Sequence, residues 1–192
     1  SPLGRCLHSG PHRETSPTVA TAHPITPAPG FADLGVPREL CDVLAKGGID
    51  APFPIQVSTL PDTLAGRDVL GRGRTGSGKT LAFGLAVVSR LAASGNKRTA
   101  GHPRALILAP TRELALQINR TVAPLATAMK MNTCTVFGGV GQGPQVDAIR
   151  RGVDIVIACP GRLEDLIQQR HCQLDRVEVS VLDEADHMAD LG

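Results

Sequence analysis

The chain has 192 residues, enough for one domain with a sizeable core and few for two. It is 42% hydrophobic and 20% charged, a globular composition, but with four Phe and neither Trp nor Tyr it has almost none of the stacking platforms that RNA-recognition sheets rely on. With so few aromatics any nucleic-acid contact has to run mainly through the backbone, and the formal net charge of +2 is too small to argue such binding on its own.

Residues 1–30 contain six prolines and no apolar periodicity, and they are expected to form a disordered tail. The folded part, 31–192, is expected to begin near Phe31. A helix follows from Pro37, with Val36, Leu40, Val43 and Leu44 at helical spacing, and Gly47 and Gly48 stop it. A second helical stretch runs from Pro54 and should break or kink at Pro61.

From there strands and helices alternate. The expected strands are 69–72, 104–109, 132–137, 153–159 and 177–183. Between them lie a helix over 79–93, one from Thr111 with Leu114, Ile118, Val122 and Leu125 on one stripe, a short one near 144–151, and one carrying Leu163, Leu166 and Ile167. Short β-then-α units need right-handed crossovers, which predicts an α/β, doubly wound parallel sheet with helices on both faces.

Ligands of such sheets bind beyond the carboxyl ends of the strands. The loops there carry Gly73 to Thr80, Pro110 to Glu113, Gly138 and Gly139, and Asp183 to Asp186. The first of these reads two ways. Gly71, Gly73 and Gly76 satisfy a dinucleotide fingerprint, while Gly73, Gly78, Lys79 and Thr80 satisfy the phosphate-binding loop G-x-x-x-x-G-K-[ST]. A dinucleotide site needs an acid about 20 residues further on, yet after Asp68 the next acid is Glu113, so the phosphate loop is the better reading. Its glycines let backbone N–H groups curl around an anion, Lys79 supplies charge to the outer phosphates, and Thr80 offers a hydroxyl to Mg²⁺. Asp183 suits a carboxylate that holds the phosphate-bound Mg²⁺, and Glu184 a neighbour that handles the attacking water.

Five cysteines with no C-x-x-C pair point to a reducing, cytoplasmic compartment. No apolar run approaches the ~20 residues of a membrane span.

Together these residues resemble the DEAD-box ATP-dependent RNA helicases, a family with two RecA-like domains. The resemblance covers 31–192. It rests on the box Asp183-Glu184-Ala185-Asp186, RTGSGKT from Arg74, PTRELA from Pro110, the pair Gly138-Gly139, and PGR from Pro160. It implies a RecA-like P-loop NTPase domain that hydrolyses ATP with Mg²⁺, the phosphate cradle being Arg74, Thr75, Gly76, Ser77, Gly78, Lys79 and Thr80. Gln56 in PFPIQ would read the adenine edge, and Phe31 would pack near the base. Pro110, Thr111, Arg112, Gly138, Gly139, Pro160, Gly161 and Arg162 would line an RNA sugar-phosphate track.

Some positions depart from the family pattern. Phe53 stands where Thr is usual, Ile49 where an aromatic is common, Cys159 where Thr is usual, and Arg74 where Gln is common. Glu178 and Ser180 alternate with valines in a strand the family buries, for which the sequence offers no account. The family's SAT motif and second domain would follow Gly192. The resemblance therefore implies a domain lacking its C-terminal strands, with strands near Val69 and Leu182 not paired to each other, marginal stability, and little activity without the second domain. The rival reading is a non-catalytic nucleotide- or RNA-binding module. An unrelated P-loop ATPase would leave PTRELA and PGR unexplained.

Overall fold

The computed structural model describes residues 26–68 and 78–190. Residues 1–25 of the tail expected over 1–30, the strand over 69–72 and its pairing, and the cradle residues Arg74, Thr75, Gly76 and Ser77 lie outside the described residues. A short 3-10 turn, Ala32–Leu34, leads into α1 (Arg38–Lys46) and α2 (Pro54–Leu64). Then follow α3 (Lys79–Ser94), β1 (Ala105–Leu108), α4 (Arg112–Ala128), β2 (Thr133–Val136), α5 (Gly143–Arg151), β3 (Ile155–Ala158), α6 (Pro160–Gln168), β4 (Val179–Leu182) and α7 (Ala185–Asp190).

The described strands form a parallel sheet in the order β2-β3-β1-β4. Side chains alternate across it as the period of two requires. Ala105, Ile107, Ile155, Ile157 and Val179 pack on one face with α1 to α4, whereas Leu106, Val156 and Ala158 pack on the other with Val146, Ile149, Leu163 and Leu166 of α5 and α6. Helices thus cover both faces, as the alternating pattern predicts. α3 is buried from Ala82 to Leu91 along most of its length, and Gly84 lets α4 come close: a Cβ there would lie 3.2 Å from Val122 Cγ2.

Of the break or kink expected at Pro61, the break is corrected. α2 does not break at Pro61 but continues to Leu64, with Pro61 on the exposed side. The proline costs the helix one donor, while Thr59 and Thr63 bond back to Ile55 and Thr59 carbonyls and Leu60 anchors the buried side. α4 likewise runs through Pro124. After Asp183 and Glu184 of the box, α7 starts at Ala185.

At the amino ends of the strands an ionic cluster ties the layers together. Asp154, 2% exposed, accepts bonds from Arg98 Nε at 3.0 Å and the Asn132 backbone N–H at 3.0 Å, and lies 3.5 Å from an Arg104 nitrogen. Arg104 also donates to Glu178 at 2.9 Å, the Leu91 carbonyl at 2.7 Å and Ser94 Oγ at 2.9 Å. Glu178 is thereby explained: it faces Arg104 rather than an apolar layer. Val179 and Val181 carry the packed face of β4, and Ser180 and Leu182 are exposed among the described residues.

Candidate nucleotide and RNA sites

The phosphate-loop lysine opens α3, and the box aspartate follows directly on β4. Their side chains meet, with Lys79 Nζ 2.8 Å from Asp183 Oδ1. Asp183 is 4% exposed and its N–H extends the ladder to the Leu108 carbonyl at 3.0 Å, so the sheet fixes where the charge sits. The same Oδ1 accepts the Glu184 N–H at 3.0 Å. Glu184 has φ of 51°, a left-handed conformation unusual for a non-glycine residue. This bend turns the chain from β4 into α7 and leaves the Glu184 side chain exposed, 3.5 Å from His187 Nδ1.

A cavity of about 530 Å³ lies at this pair, lined by Phe53, Gln56, Gly78, Lys79, Thr80, Asp183 and Glu184 together with Ile49, Leu114 and Gln117. A second, of about 740 Å³, shares Lys79, Asp183 and Glu184 and extends between α2, α3 and β4. The first N–H groups of α3 have no intrahelical partners, and their partial positive charge adds to that of Lys79. The donor set suits Mg²⁺: Thr80 brings a hydroxyl to the cavity, and Asp183 Oδ2 makes no hydrogen bond or ion pair among the described residues.

Gln56 is fully buried, and its amide is already engaged at both ends. Its carbonyl accepts the Phe53 N–H at 2.8 Å, capping α2, and its NH₂ donates to the Gly78 carbonyl at 3.0 Å, tying α2 to the N-terminus of α3. An amide keeps one further N–H and one lone pair, so Gln56 can meet a purine only with those. Phe31 is 5% exposed in the core with Leu40 and Leu60 and lines neither cavity. The exposed apolar groups at the cavity are instead Phe53 and Ile49, two of the departures from the family pattern.

Gly78 holds this corner together. Its φ is +80°, and a Cβ would press into the Gln56 amide and lie 2.6 Å from Phe53 Cδ2. Gly78→Ala is expected to lower the unfolding free energy by about 1–3 kcal/mol, read by chemical denaturation.

The second group of residues sits at the same end of the sheet, after β1, β2 and β3. Thr111 caps α4, its hydroxyl accepting the Leu114 N–H at 3.2 Å, which leaves Arg112 exposed with its guanidinium 4.9 Å from the centre of the Phe137 ring. Gly138 and Gly139 are exposed in the loop after β2, Gly139 with φ of +78°. Pro160 and Gly161 form the first turn of α6, and Arg162 beside them donates to Gln145 Oε1 at 3.3 Å and the Val140 carbonyl at 2.9 Å. Cys159 precedes that turn without a side-chain cap, and burial first, then Glu113, raises its thiol pKa, so it is neutral there. Pro110, Thr111, Arg112, Gly138, Gly139, Pro160, Gly161 and Arg162 thus come together at one end of the sheet. Phe137 and Gln145, which join them, had no sequence signal: each reads as an ordinary core or helix-surface residue.

Comparisons with known proteins bear on the family and the fold. The DEAD/DEAH box helicase family model matches residues 53–192. DEAD-box ATP-dependent RNA helicase 20 of Oryza sativa subsp. japonica is 43% identical over 166 residues, 86% of this chain and 34% of that protein. The ATP-dependent RNA helicase RhlB of Pasteurella multocida is 46% identical over 162 residues, 84% of this chain and 38% of that protein. Among solved structures, the RNA-helicase Prp28 from Chaetomium thermophilum bound to ADP superposes with a TM-score of 0.78 at 38% identity, covering 85% of this chain and 40% of that one. The chain therefore spans little more than a third of the length of the curated relatives it matches here, and no helix among the described residues is long and apolar enough to cross a membrane. A family model that covers well over half the chain, a RecA-like sheet, and a phosphate-loop lysine paired with the box aspartate lead to one conclusion: this chain belongs to the DEAD/DEAH box helicase family.

Proposed function

We propose that residues 31–192 form the ATP–Mg²⁺- and RNA-binding domain of an ATP-dependent RNA helicase, with little turnover unless joined to a second RecA-like domain. The observation that carries this reading is the 2.8 Å Lys79–Asp183 pair at the floor of the cavity, where a phosphate-binding cation and a metal-binding carboxylate hold each other in place. Lys79 would turn from Asp183 to the outer phosphates of a bound nucleotide, and Thr80 and Asp183 would hold Mg²⁺, which would supply charge neutralisation at the phosphates. Glu184, exposed and beside Asp183, takes the proton of the attacking water as the new P–O bond forms and the bond to the ADP oxygen breaks. Family membership supports the ATP assignment, and the remaining donor and acceptor of Gln56 favour adenine over guanine. Competition of ATP and GTP for a fluorescent nucleotide on this chain tests it; equal affinity for the two would overturn the adenine assignment.

RNA lies across the loops after β1, β2 and β3 in this reading. Its support is the residue types gathered there: exposed glycine N–H groups and the forks of Arg112 and Arg162, which grip phosphates without reading bases. Arg112→Ala and Arg162→Ala are expected to weaken binding of all RNA sequences alike and to make it less salt-dependent, as measured by anisotropy titrations. A change in preference between two unstructured RNAs of equal length would contradict a backbone track.

A further inference from the structure

The loop leaving β2 is held from beneath by one side chain. Gln145, 7% exposed and near the start of α5, donates from Nε2 to the Phe137 carbonyl at 3.0 Å and accepts at Oε1 from Arg162 at 3.3 Å. Arg162 closes the circuit by donating to the Val140 carbonyl at 2.9 Å. The carbonyls on both sides of Gly138-Gly139 are thus bonded, one to Gln145 and one to Arg162, and Gln145 bonds Arg162. Phe137 extends the unit, since its ring, 8% exposed, lies under the Arg112 guanidinium.

The chemistry of the position is restrictive. Gln145 must present a donor to one neighbour and an acceptor to another from a buried site; a carboxylate lacks the donor, an ammonium lacks the acceptor, and an apolar chain lacks both. An arginine held by two acceptors also loses less side-chain freedom when it binds an anion than a free one does.

We propose that Gln145 is a positioning residue of the RNA site: it fixes the Arg162 fork and the Gly138-Gly139 N–H groups at one spacing, so that they grip the phosphates of a strand as a unit. This rests on the reading of that face as an RNA track.

The test uses this chain and a short fluorescent single-stranded RNA, with anisotropy recorded over a salt series for Gln145→Met, Arg162→Ala, Arg162→Lys and the Gln145→Met/Arg162→Ala double variant. Gln145→Met keeps the side-chain volume and removes both hydrogen-bonding ends. It is expected to weaken binding as much as Arg162→Ala, to within about two-fold, and to flatten the salt dependence by ~0.7 in log–log slope, the loss of one phosphate contact on a single strand. The double variant should bind no more weakly than Arg162→Ala alone. Arg162→Lys, which keeps the charge but cannot reach both Gln145 and Val140 with a planar fork, should lose as much as Arg162→Ala, and this result does not depend on how well the Gln145 variant folds. Wild-type affinity in Arg162→Lys, or additive losses in the double variant, would overturn the proposal while leaving the RNA track in place. If Arg112→Ala and Arg162→Ala both bind RNA as the wild type does, the RNA track itself is wrong and the proposal falls with it.

Discussion

Lys79→Ala and Glu184→Gln are expected to separate ATP binding from ATP hydrolysis. The lysine supplies a charge-assisted hydrogen bond to the outer phosphates, worth ~1.5–3 kcal/mol, so its loss should weaken ATP about 10- to 100-fold. Glu184→Gln keeps the size and polarity of the side chain but cannot accept a proton. It should leave ATP affinity within about two-fold of wild type and lower hydrolysis ~10²- to 10⁴-fold, the range for a positioned base. Binding is read on this chain with a fluorescent nucleotide, and turnover on a form extended through a second RecA-like domain in the presence of RNA. Equal loss of ATP binding in the two variants would contradict these roles.

The 2.8 Å Lys79–Asp183 pair adds a structural consequence to the first variant. Removing Lys79 leaves Asp183, 4% exposed, without its partner cation. Lys79→Ala should therefore also be less stable without nucleotide, and Lys79→Ala/Asp183→Asn should recover stability without recovering ATP affinity. That pattern distinguishes a lost phosphate contact from a disturbed fold.

The sheet and its covering helices were legible because their signals are local. Ile155 to Ala158 is an unbroken apolar run, and Leu114, Ile118, Val122 and Leu125 repeat at helical spacing. The loops that carry the site were legible for a related reason: position beyond a strand and residue type together restrict the chemistry. What could not be read depends on partners far apart in sequence. Arg104 meets Asp154 across 50 residues and Glu178 across 74, and nothing in the neighbourhood of any of the three marks the pairing. Gln56 shows the same limit from another side. Its residue type suggests recognition of a base, yet both ends of its amide are bonded within the protein, which only the contact with Gly78, 22 residues away, makes visible. The break expected at Pro61 does not occur because α2 is held by its buried side through Leu60, a tertiary contact that no local signal around the proline reveals.

The ionic cluster at the amino ends of the strands is expected to give the largest change in stability of any single site. Asp154 is the common acceptor for Arg98, the Asn132 backbone and Arg104, and Arg104 is itself 5% exposed. Asp154→Ala removes the carboxylate and leaves the Arg104 guanidinium buried with, among the described residues, only Glu178 as counter-charge. Breaking a buried pair from one side costs ~3–5 kcal/mol, a large part of the ~5–15 kcal/mol that holds a domain together. Chemical denaturation of Asp154→Ala should show that loss. Because the cluster lies at the opposite end of the sheet from Lys79, ATP affinity of the folded fraction should be unchanged, and a drop in affinity would place Asp154 in the site rather than beneath it. Glu178 adds a pH dependence. Burial raises its pKa, but hydrogen bonds from Ser94, Arg104 and Asn96 and the Arg104 charge outweigh burial and leave it lowered. Its contribution is therefore complete at neutral pH and disappears as the pH falls through the lowered value. Glu178→Gln, which keeps the shape without the charge, should make the acid limb of the stability profile shallower, and an unchanged limb would assign acid unfolding to other carboxylates.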